Sequence, residues 1–290
     1  MDDPVTARLI EWAEGKTSIR AMLLTSTRAV PLPNAPVDEF SDYDVVLFVE
    51  DIHPFHEDRA WLQDFGEVLV AYWDPIYRDP DFGFEKFGNV TQYSDGLKID
   101  FTLWTVEALR SMVHAATLPA EYDAGYRVLL DKDGLTHGMQ PSTYKAYIPA
   151  PPTNELYQTT VNDFFSDAPY VAKCLLRGEL LPAKWCLDYD MKHVYLRPML
   201  EWLMGSHHNW SLPTGWLGKG LKKKLPADLW SQLEASYADA DFEANWQALF
   251  NTMTLFRRVA TEVGEGLGYA YPLELDERVT AFVKHMQQHK

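Results

Sequence analysis

The chain has 290 residues, of which 47% are hydrophobic and 23% charged, and this ordinary globular usage argues against a disordered or fibrous protein. The length predicts two domains. The formal net charge is -16, and residues 1–150 carry most of it, with 25 acidic against 12 basic residues. Because nucleic-acid binders usually present clustered lysine and arginine to phosphates, we expect no DNA or RNA partner. An acidic surface instead attracts small cations.

The two cysteines and the start of the chain predict the compartment. Cys174 and Cys186 lie twelve residues apart in a segment with helical period, where their side chains cannot meet along one helix. We therefore expect reduced cysteines and a cytoplasmic location. The first residues resemble no export signal, and no run of about 18 apolar residues occurs, so no membrane span is expected.

The first half combines one helical pattern with several strand patterns. Val5, Leu9 and Trp12 share one face of a helix over residues 4–15. Short apolar runs predict four strands, at Ile19–Thr25, Tyr43–Val49, Val90–Tyr93 and Leu97–Leu103. The Asp-Gly step between the last two runs is typical of a tight hairpin turn. Residues 1–150 are therefore predicted to form a mixed α/β (α+β) domain.

The second half has the period of helices throughout. A proline cluster at residues 149–152 suits an extended linker, so the domain boundary is placed at residue 150. Prolines near three of the predicted helix starts occupy positions where a missing amide proton costs least. Residues 151–290 are predicted to form an all-α helical bundle, with helices near 155–178, 183–204, 226–238, 241–265 and 272–288.

Three aspartates begin two of the predicted strands. Residues two apart in a strand point to the same face, so Asp42 and Asp44 present both carboxylates to one side. Such charges about 4 Å apart repel by roughly 4 kcal/mol at an effective dielectric of 20, a cost that a divalent cation removes. Oxygen ligands favour Mg²⁺ or Mn²⁺. Alone, this Asp-x-Asp pattern more often marks a turn and an exposed strand residue.

The context of the two aspartates favours the metal site. Asp100 lies among the apolar residues of a second strand, where an unpaired charge is costly unless it has a task. After the first strand, Ser26, Thr27 and Arg28 form a polar turn whose amides and hydroxyls suit a triphosphate. Together these residues indicate a nucleotide site built on a metal.

The same segments resemble the aminoglycoside 6-adenylyltransferases, the group that modifies streptomycin, within the polymerase-β-like nucleotidyltransferases. The similarity extends along nearly the whole chain and is far more specific than the Asp-x-Asp alone. It is carried by Leu24–Ala29, Asp38–Asp44, Asp95–Leu103, Val171–Glu179, Arg197–Trp202, Tyr271–Glu274 and Val279–His285. It implies a nucleotidyltransferase domain followed by a helical substrate-binding domain, and an acceptor that is an aminoglycoside.

The resemblance also implies a chemical role for each part of the pattern. Asp42 and Asp44 would hold magnesium, and Asp100 would accept the hydroxyl proton of the acceptor or ligate a second metal. ATP would be bound by the turn at residues 26–28, by Lys173 and, less surely, by Lys184. One departure stands out. The family usually has glycine and then serine in this turn, so Ser26 puts the nucleotide preference and catalytic efficiency in question.

Acceptor-binding residues are harder to predict. Trp104 follows Asp100 closely and is a candidate wall of the substrate site. In the helical half, Asp163, Asp167, Asp188 and Asp190 are candidates to bind guanidinium or ammonium groups, although simple solvation on a helix surface is an equal alternative for any one of them. The alternatives to an active enzyme are a non-catalytic nucleotide sensor and a nucleotidyltransferase with another acceptor, RNA or protein included.

Overall fold

A computed structural model describes residues 3–31 and 37–289. By their internal contacts the residues group into two compact units, Met1–Ala146 and Tyr147–Lys290. The secondary structure differs sharply between the two units, since all strands of the described residues lie in the first unit. Each unit is described below by itself.

The first unit is built on one mixed sheet. Its seven strands in the described residues are β1 (Ile19–Thr25), β2 (Tyr43–Val49), β3 (Val68–Trp73), β4 (Tyr77–Arg78), β5 (Glu85–Tyr93), β6 (Lys98–Thr105) and β7 (Tyr126–Asp131). The order across the sheet is β3-β5-β6-β2-β1-β7, and β4 pairs with β5. Only β2 and β6 run parallel; the other pairs are antiparallel. The predicted α/β class is confirmed.

Both faces of this sheet are partly covered. Helices of the first unit are α1 (Pro4–Glu14), α2 (His53–Glu57), α3 (Val106–Val113) and α4 (Ala120–Asp123). On one face, alternate residues of β2 and β6 pack with Leu9 of α1 and with Phe65, and on the other face they pack with Leu109 of α3 and Tyr122 of α4. This alternation with period two follows from the geometry of a strand.

The second unit is helical, as predicted. Its helices are α5 (Asn154–Leu176), α6 (Leu180–Lys184), α7 (Arg197–His207), α8 (Ala227–Ala235), α9 (Phe242–Leu267) and α10 (Leu273–Gln288). The side chains of Thr153 and Asp241 accept hydrogen bonds from the first turns of α5 and α9, and Gly268 ends α9 in the left-handed conformation. Their apolar faces share one core. None of the helices in the described residues has both the length and the apolar character to cross a membrane.

The segment predicted as one helix over residues 183–204 is divided in three. Between α6 and α7, residues Trp185–Leu196 form a π-helix, and the backbone remains helical through both junctions. Such wider turns are rare and occur often at functional sites. Both Cys174 and Cys186 are buried and free, as the twelve-residue spacing predicted.

Candidate active site

Asp44 and Asp100 lie opposite each other on the two parallel strands. In the register of β2 and β6, Asp44 pairs with Asp100, and Thr25 of β1 pairs with Asp44 from the other side. Both side chains are half-buried, whereas Tyr43 is 6% exposed and packs into the opposite face. The alternation predicted for Asp42, Tyr43 and Asp44 therefore separates the aromatic ring from the acidic site.

A lysine joins the other two carboxylates of the group. Lys98 lies two residues before Asp100 on β6, and its Nζ is 3.0 Å from Oδ2 of Asp100 and 2.5 Å from Oδ2 of Asp42. Asp42 immediately precedes β2. Although burial works to lower the pKa of Lys98, its hydrogen bonds to the two carboxylates raise the pKa above its usual range. The site thus contains three acidic groups and one ammonium group.

The environment favours protonation of two of these acids. Burial raises the pKa of Asp44 to about 6, and the charges of Asp100 and Asp42 add to the rise, whereas a hydrogen bond from Ser26 and the charge of Lys98 oppose it. Burial also raises the pKa of Asp100, against the effect of Lys98. Carboxylates held close together in a partly buried site attract a cation, because the cation relieves their mutual repulsion.

The donor set fits a hard divalent cation. Oδ1 of Asp100 is buried and has no hydrogen-bond partner among the described residues, so this oxygen is available as a ligand. The carboxylate oxygens of Asp42, Asp44 and Asp100 do not all lie within 4.8 Å of one another. Among the described residues, one group of three acidic, cysteine or histidine side chains meets this distance, and it lies in the helical unit. Strand geometry alone predicted closer convergence. Asp42 lies just before β2 and pairs with Lys98, whereas Asp44 lies within the strand.

The turn after β1 carries backbone strain at Ser26, the residue that departs from the glycine expected from the resemblance. Ser26 has a φ of 61°, in the left-handed region, and begins a 3-10 turn over Ser26–Ala29. A side chain in this conformation costs roughly 1–2 kcal/mol. Its hydroxyl donates a hydrogen bond to the carboxylate of Asp44. Thr27, the next residue, is half-buried in the same turn.

Arg28 uses its guanidinium group to support the acidic loop. It donates hydrogen bonds to the carbonyl oxygens of Ser41 at 2.7 Å and of Asp42 at 3.1 Å. Its guanidinium carbon also lies 3.9 Å from the centre of the Tyr43 ring. These contacts position the backbone of the Asp-x-Asp segment, whereas the sequence predicted a contact to the nucleotide.

Trp104 does not lie at a surface of the site. Its side chain is 1% exposed and packs with Tyr122 and Leu109 under α3 and α4. It shares a sheet face with Asp100, but it is four residues further along β6, which is about 13 Å. The burial corrects the prediction that Trp104 forms a wall of the substrate site. A bulky aromatic ring is stabilised more by the core under α3 than by exposure.

In the helical unit, Asp188 is already neutralised. Its Oδ1 is 2.5 Å from Nζ of the buried Lys192, and its Oδ2 is 2.7 Å from Nζ of Lys184. Lys184 donates a further hydrogen bond to the carbonyl oxygen of Ala238, at 2.7 Å. These ion pairs argue against Asp188 as a ligand for substrate cations and make Lys184 a poor candidate for phosphate binding. Lys173, in contrast, is exposed on α5.

A second acidic group lies between α5 and the π-helical segment. One ligand atom from each of Asp167, Cys186 and Asp190 lies within 4.8 Å of the others. Burial raises the pKa of Asp167, and the charges of Asp190 and Asp163 add to this rise. No ion pair within the described residues involves these three aspartates. Unlike Asp188, they are therefore available to a cation from outside the chain.

Comparison with known proteins identifies the family. The family model described as Streptomycin adenylyltransferase matches residues 2–286. The chain belongs to this family. Relatives named aminoglycoside 6-adenylyltransferase include one from Bacillus subtilis (strain 168), 30% identical over 95% of this chain and 94% of its own length. Another, from Campylobacter jejuni, is 30% identical over 92% of this chain and 90% of its own.

A solved structure is also similar to this family member. It is a crystal structure of an aminoglycoside 6-adenyltransferase from Bacillus subtilis, with 26% identity, coverage of 98% of this chain and 97% of that one, and a TM-score of 0.44.

Sequence reasoning missed one charged residue of the two acidic groups, Lys98, and did not distinguish another, Asp190, from its neighbours. Lys98 is not among the site residues predicted from the sequence, although its spacing of two from Asp100 places both side chains on one strand face. Asp190 was one of four acids that the sequence did not separate. Only the pairing of Asp188 with two lysines distinguishes the two aspartates.

Proposed function

We propose that the protein transfers AMP from ATP to a hydroxyl group of streptomycin or a related cationic aminoglycoside, with release of pyrophosphate. The observation that carries the proposal is the placement of Asp44 opposite Asp100 on two parallel strands, with the Ser26 turn beside Asp44 and a buried oxygen on Asp100 that has no partner among the described residues. The names of the 30%-identical relatives support the acceptor class.

Asp42 and Asp44 are the residues that would hold Mg²⁺, with Asp100 as a third candidate ligand. Bound there, the ion would neutralise charge on the phosphate oxygens and on the leaving pyrophosphate. The protein itself supplies the preorganisation. Arg28 fixes the carbonyl oxygens of Ser41 and Asp42, and the Ser26 hydroxyl orients the carboxylate of Asp44.

Asp100 is proposed as the acceptor of the hydroxyl proton. Burial keeps its pKa above the usual range, and a raised pKa makes a carboxylate a stronger base. The free Oδ1 of Asp100 provides the lone pair. The proton would move from the attacking hydroxyl of the sugar to this oxygen while the new oxygen–phosphorus bond forms and the bond to pyrophosphate breaks.

For the nucleotide we propose the turn of Ser26 and Thr27, with Lys173 as a point charge for the phosphates. Lys173 is exposed, and an ammonium group on a flexible stem suits contact with a triphosphate. Lys184 would first have to leave Asp188 and the carbonyl oxygen of Ala238, so its contribution is proposed to be structural.

For the acceptor we propose the carboxylates of Asp163, Asp167 and Asp190. These acids have no basic partner within the described residues, and guanidinium groups pair with carboxylates through strong charge-assisted hydrogen bonds. Next to Cys186, Trp185 is 65% exposed and its ring lies 5.0 Å from that of Tyr189. The exposed ring of Trp185 offers a flat surface to a sugar.

The direct test is a mass spectrum of streptomycin after incubation with the protein and MgATP. In parallel, an assay coupled to inorganic pyrophosphatase measures the pyrophosphate that is released. We expect streptomycin to gain the mass of one adenylyl group and pyrophosphate to appear in equal amount. Binding of ATP with neither product, across a panel of cationic sugars, would identify a non-catalytic relative instead. Labelled-ATP transfer to proteins or RNA would identify a different acceptor.

The strained serine gives a matched pair of variants. We expect Ser26→Gly to keep or raise the rate of transfer, because glycine adopts a φ of 61° without strain and lets phosphate approach the backbone. Ser26→Ala keeps the strain and loses the hydrogen bond to Asp44, so it should be the less active of the two. Steady-state rates with streptomycin compare them. A large loss in Ser26→Gly alongside an active Ser26→Ala would contradict the steric explanation.

The acceptor proposal predicts a dependence on salt. Exposed attractions are screened over about 8 Å at physiological ionic strength, so streptomycin affinity should fall as salt rises and then level off, while a neutral sugar shows no fall. Asp167→Asn should weaken streptomycin binding by about 10-fold at low salt, because it removes a charged hydrogen-bond acceptor. Isothermal titration with a non-hydrolysable ATP analogue present measures both.

The control for this variant is Glu277→Gln, which removes an equal charge from the exposed face of α10. It should leave the affinity for streptomycin unchanged. Equal losses of streptomycin affinity in Asp167→Asn and Glu277→Gln would show that streptomycin responds to the net negative charge of the helical unit and not to Asp167 itself.

A further inference from the structure

Lys98 is the basic residue placed inside the acidic site. Its side chain is 28% exposed and its Nζ bridges carboxylates from two chain segments, Asp42 before β2 and Asp100 on β6. The two contacts are 2.5 Å and 3.0 Å long, so both are full hydrogen-bonded ion pairs. Since Lys98 and Asp100 are two apart in a strand, both side chains leave the same face of the sheet.

The other cation nearby does not share this task. The guanidinium group of Arg28 is directed to the carbonyl oxygens of Ser41 and Asp42 and to the ring of Tyr43. Asp44 takes part in no ion pair within the described residues, and its carboxylate accepts from the hydroxyl of Ser26. The ammonium group of Lys98 therefore contacts two of the three carboxylates, Asp42 and Asp100, and acts on Asp44 only through its charge.

We propose that Lys98 is a built-in counter-cation that joins Asp42 to Asp100, and that a divalent metal must displace it to bind between the Oδ2 atoms of these two carboxylates. The inference rests on the metal-dependent function proposed above. Two cations cannot occupy the space between the same pair of oxygens, so lysine and metal compete. Lys98 is thus a positioning residue: it assembles the acidic loop and the strand before nucleotide arrives, at the cost of weaker binding of the free metal.

Competition has a consequence that a structural role lacks. If Lys98 only stabilised the fold, its removal would loosen the site and weaken metal binding. If it competes, its removal leaves three carboxylates with greater need of a cation, and metal binding becomes stronger. We expect the dissociation constant of Mn²⁺ for Lys98→Met to fall by about 10-fold, the order of magnitude expected when one competing positive charge is removed from a partly exposed site.

The test measures Mn²⁺ binding to the full chain without nucleotide, from the electron paramagnetic resonance signal of the free ion. Lys98→Gln is a second variant that keeps a polar side chain, and Lys98→Arg keeps the charge and should bind Mn²⁺ like the unmodified protein. Lys16→Met is the matched control. It removes one charge from the same unit, where Lys16 pairs with Asp64 at 3.5 Å, away from the site.

Tighter binding of Mn²⁺ by Lys98→Met or Lys98→Gln, with no change in Lys16→Met, supports the proposal. Unchanged, weaker or undetectable binding by folded Lys98→Met and Lys98→Gln overturns it. The outcome is separable from that of the proposed function. Adenylyl transfer by the unmodified protein with no gain in metal affinity would reject the role of Lys98 alone, and a gain in affinity with no transfer would reject the function alone.

Discussion

Asp44→Asn is expected to reduce adenylyl transfer by about 1,000-fold, and Asp42→Asn by a similar factor, because each removes a negatively charged metal ligand from the proposed site. Asn keeps the shape and one oxygen of the side chain, so the fold should remain intact. Steady-state rates with streptomycin and MgATP measure the effect. Near-normal turnover in either variant would show that the metal is bound elsewhere.

The control for the charge change is Glu50→Gln. Glu50 is exposed directly after β2, at the opposite end of the strand from Asp44. Its loss changes the net charge equally and should leave the rate within about two-fold, as is usual for exposed substitutions away from special features.

The same aspartate predicts a change in stability with pH. Burial raises the pKa of Asp44 to about 6, so in metal-free protein its ionised form destabilises the fold as pH rises through that value. Asp44→Asn should therefore be more stable than the unmodified protein at pH 8, by about 1–2 kcal/mol after allowance for solvent screening. Near pH 4 the carboxyl is protonated in the folded chain and the gain should vanish. Urea unfolding with a chelator present, at both pH values, tests this.

Asp100→Asn is expected to lower kcat by roughly 100- to 10,000-fold, the usual contribution of a general base, with little change in KM for ATP. The reason is that amide nitrogen and oxygen cannot accept the hydroxyl proton, whereas the metal ligands Asp42 and Asp44 remain. Single-turnover rates at saturating ATP measure the chemical step. Glu107→Gln, an exposed charge on α3 just after β6, should show no comparable loss.

Asp100 as a ligand of a second metal would give a different result. In that case Asp100→Asn would weaken Mn²⁺ binding as well as catalysis. A large fall in kcat with unchanged Mn²⁺ affinity assigns the proton transfer to Asp100, and a parallel loss of both assigns ligation.

Local pattern was sufficient for the elements on which the site is built. Ile19–Thr25 and Tyr43–Val49 were predicted with the bounds that β1 and β2 have, because both are continuous apolar runs bordered by polar turns. The Asp-Gly hairpin and the start of β6 were also found from sequence. β3, β4 and β7 were not predicted. β3 and β7 lie at the two edges of the sheet and remain partly exposed, so they carry a weaker apolar signal than a central strand, and β4 has only two residues, both exposed.

The sequence by itself determined the three aspartates, their position at the beginning of two strands, and the helical character of the second half. Tertiary structure alone decided that β2 and β6 are parallel neighbours, which places Asp44 opposite Asp100, and that Lys98 reaches Asp42, 56 residues away. It also decided that Trp104 is buried and Asp188 neutralised. The physical reason is that periodicity specifies which face of an element a side chain leaves, whereas its charge partners come from segments distant in sequence.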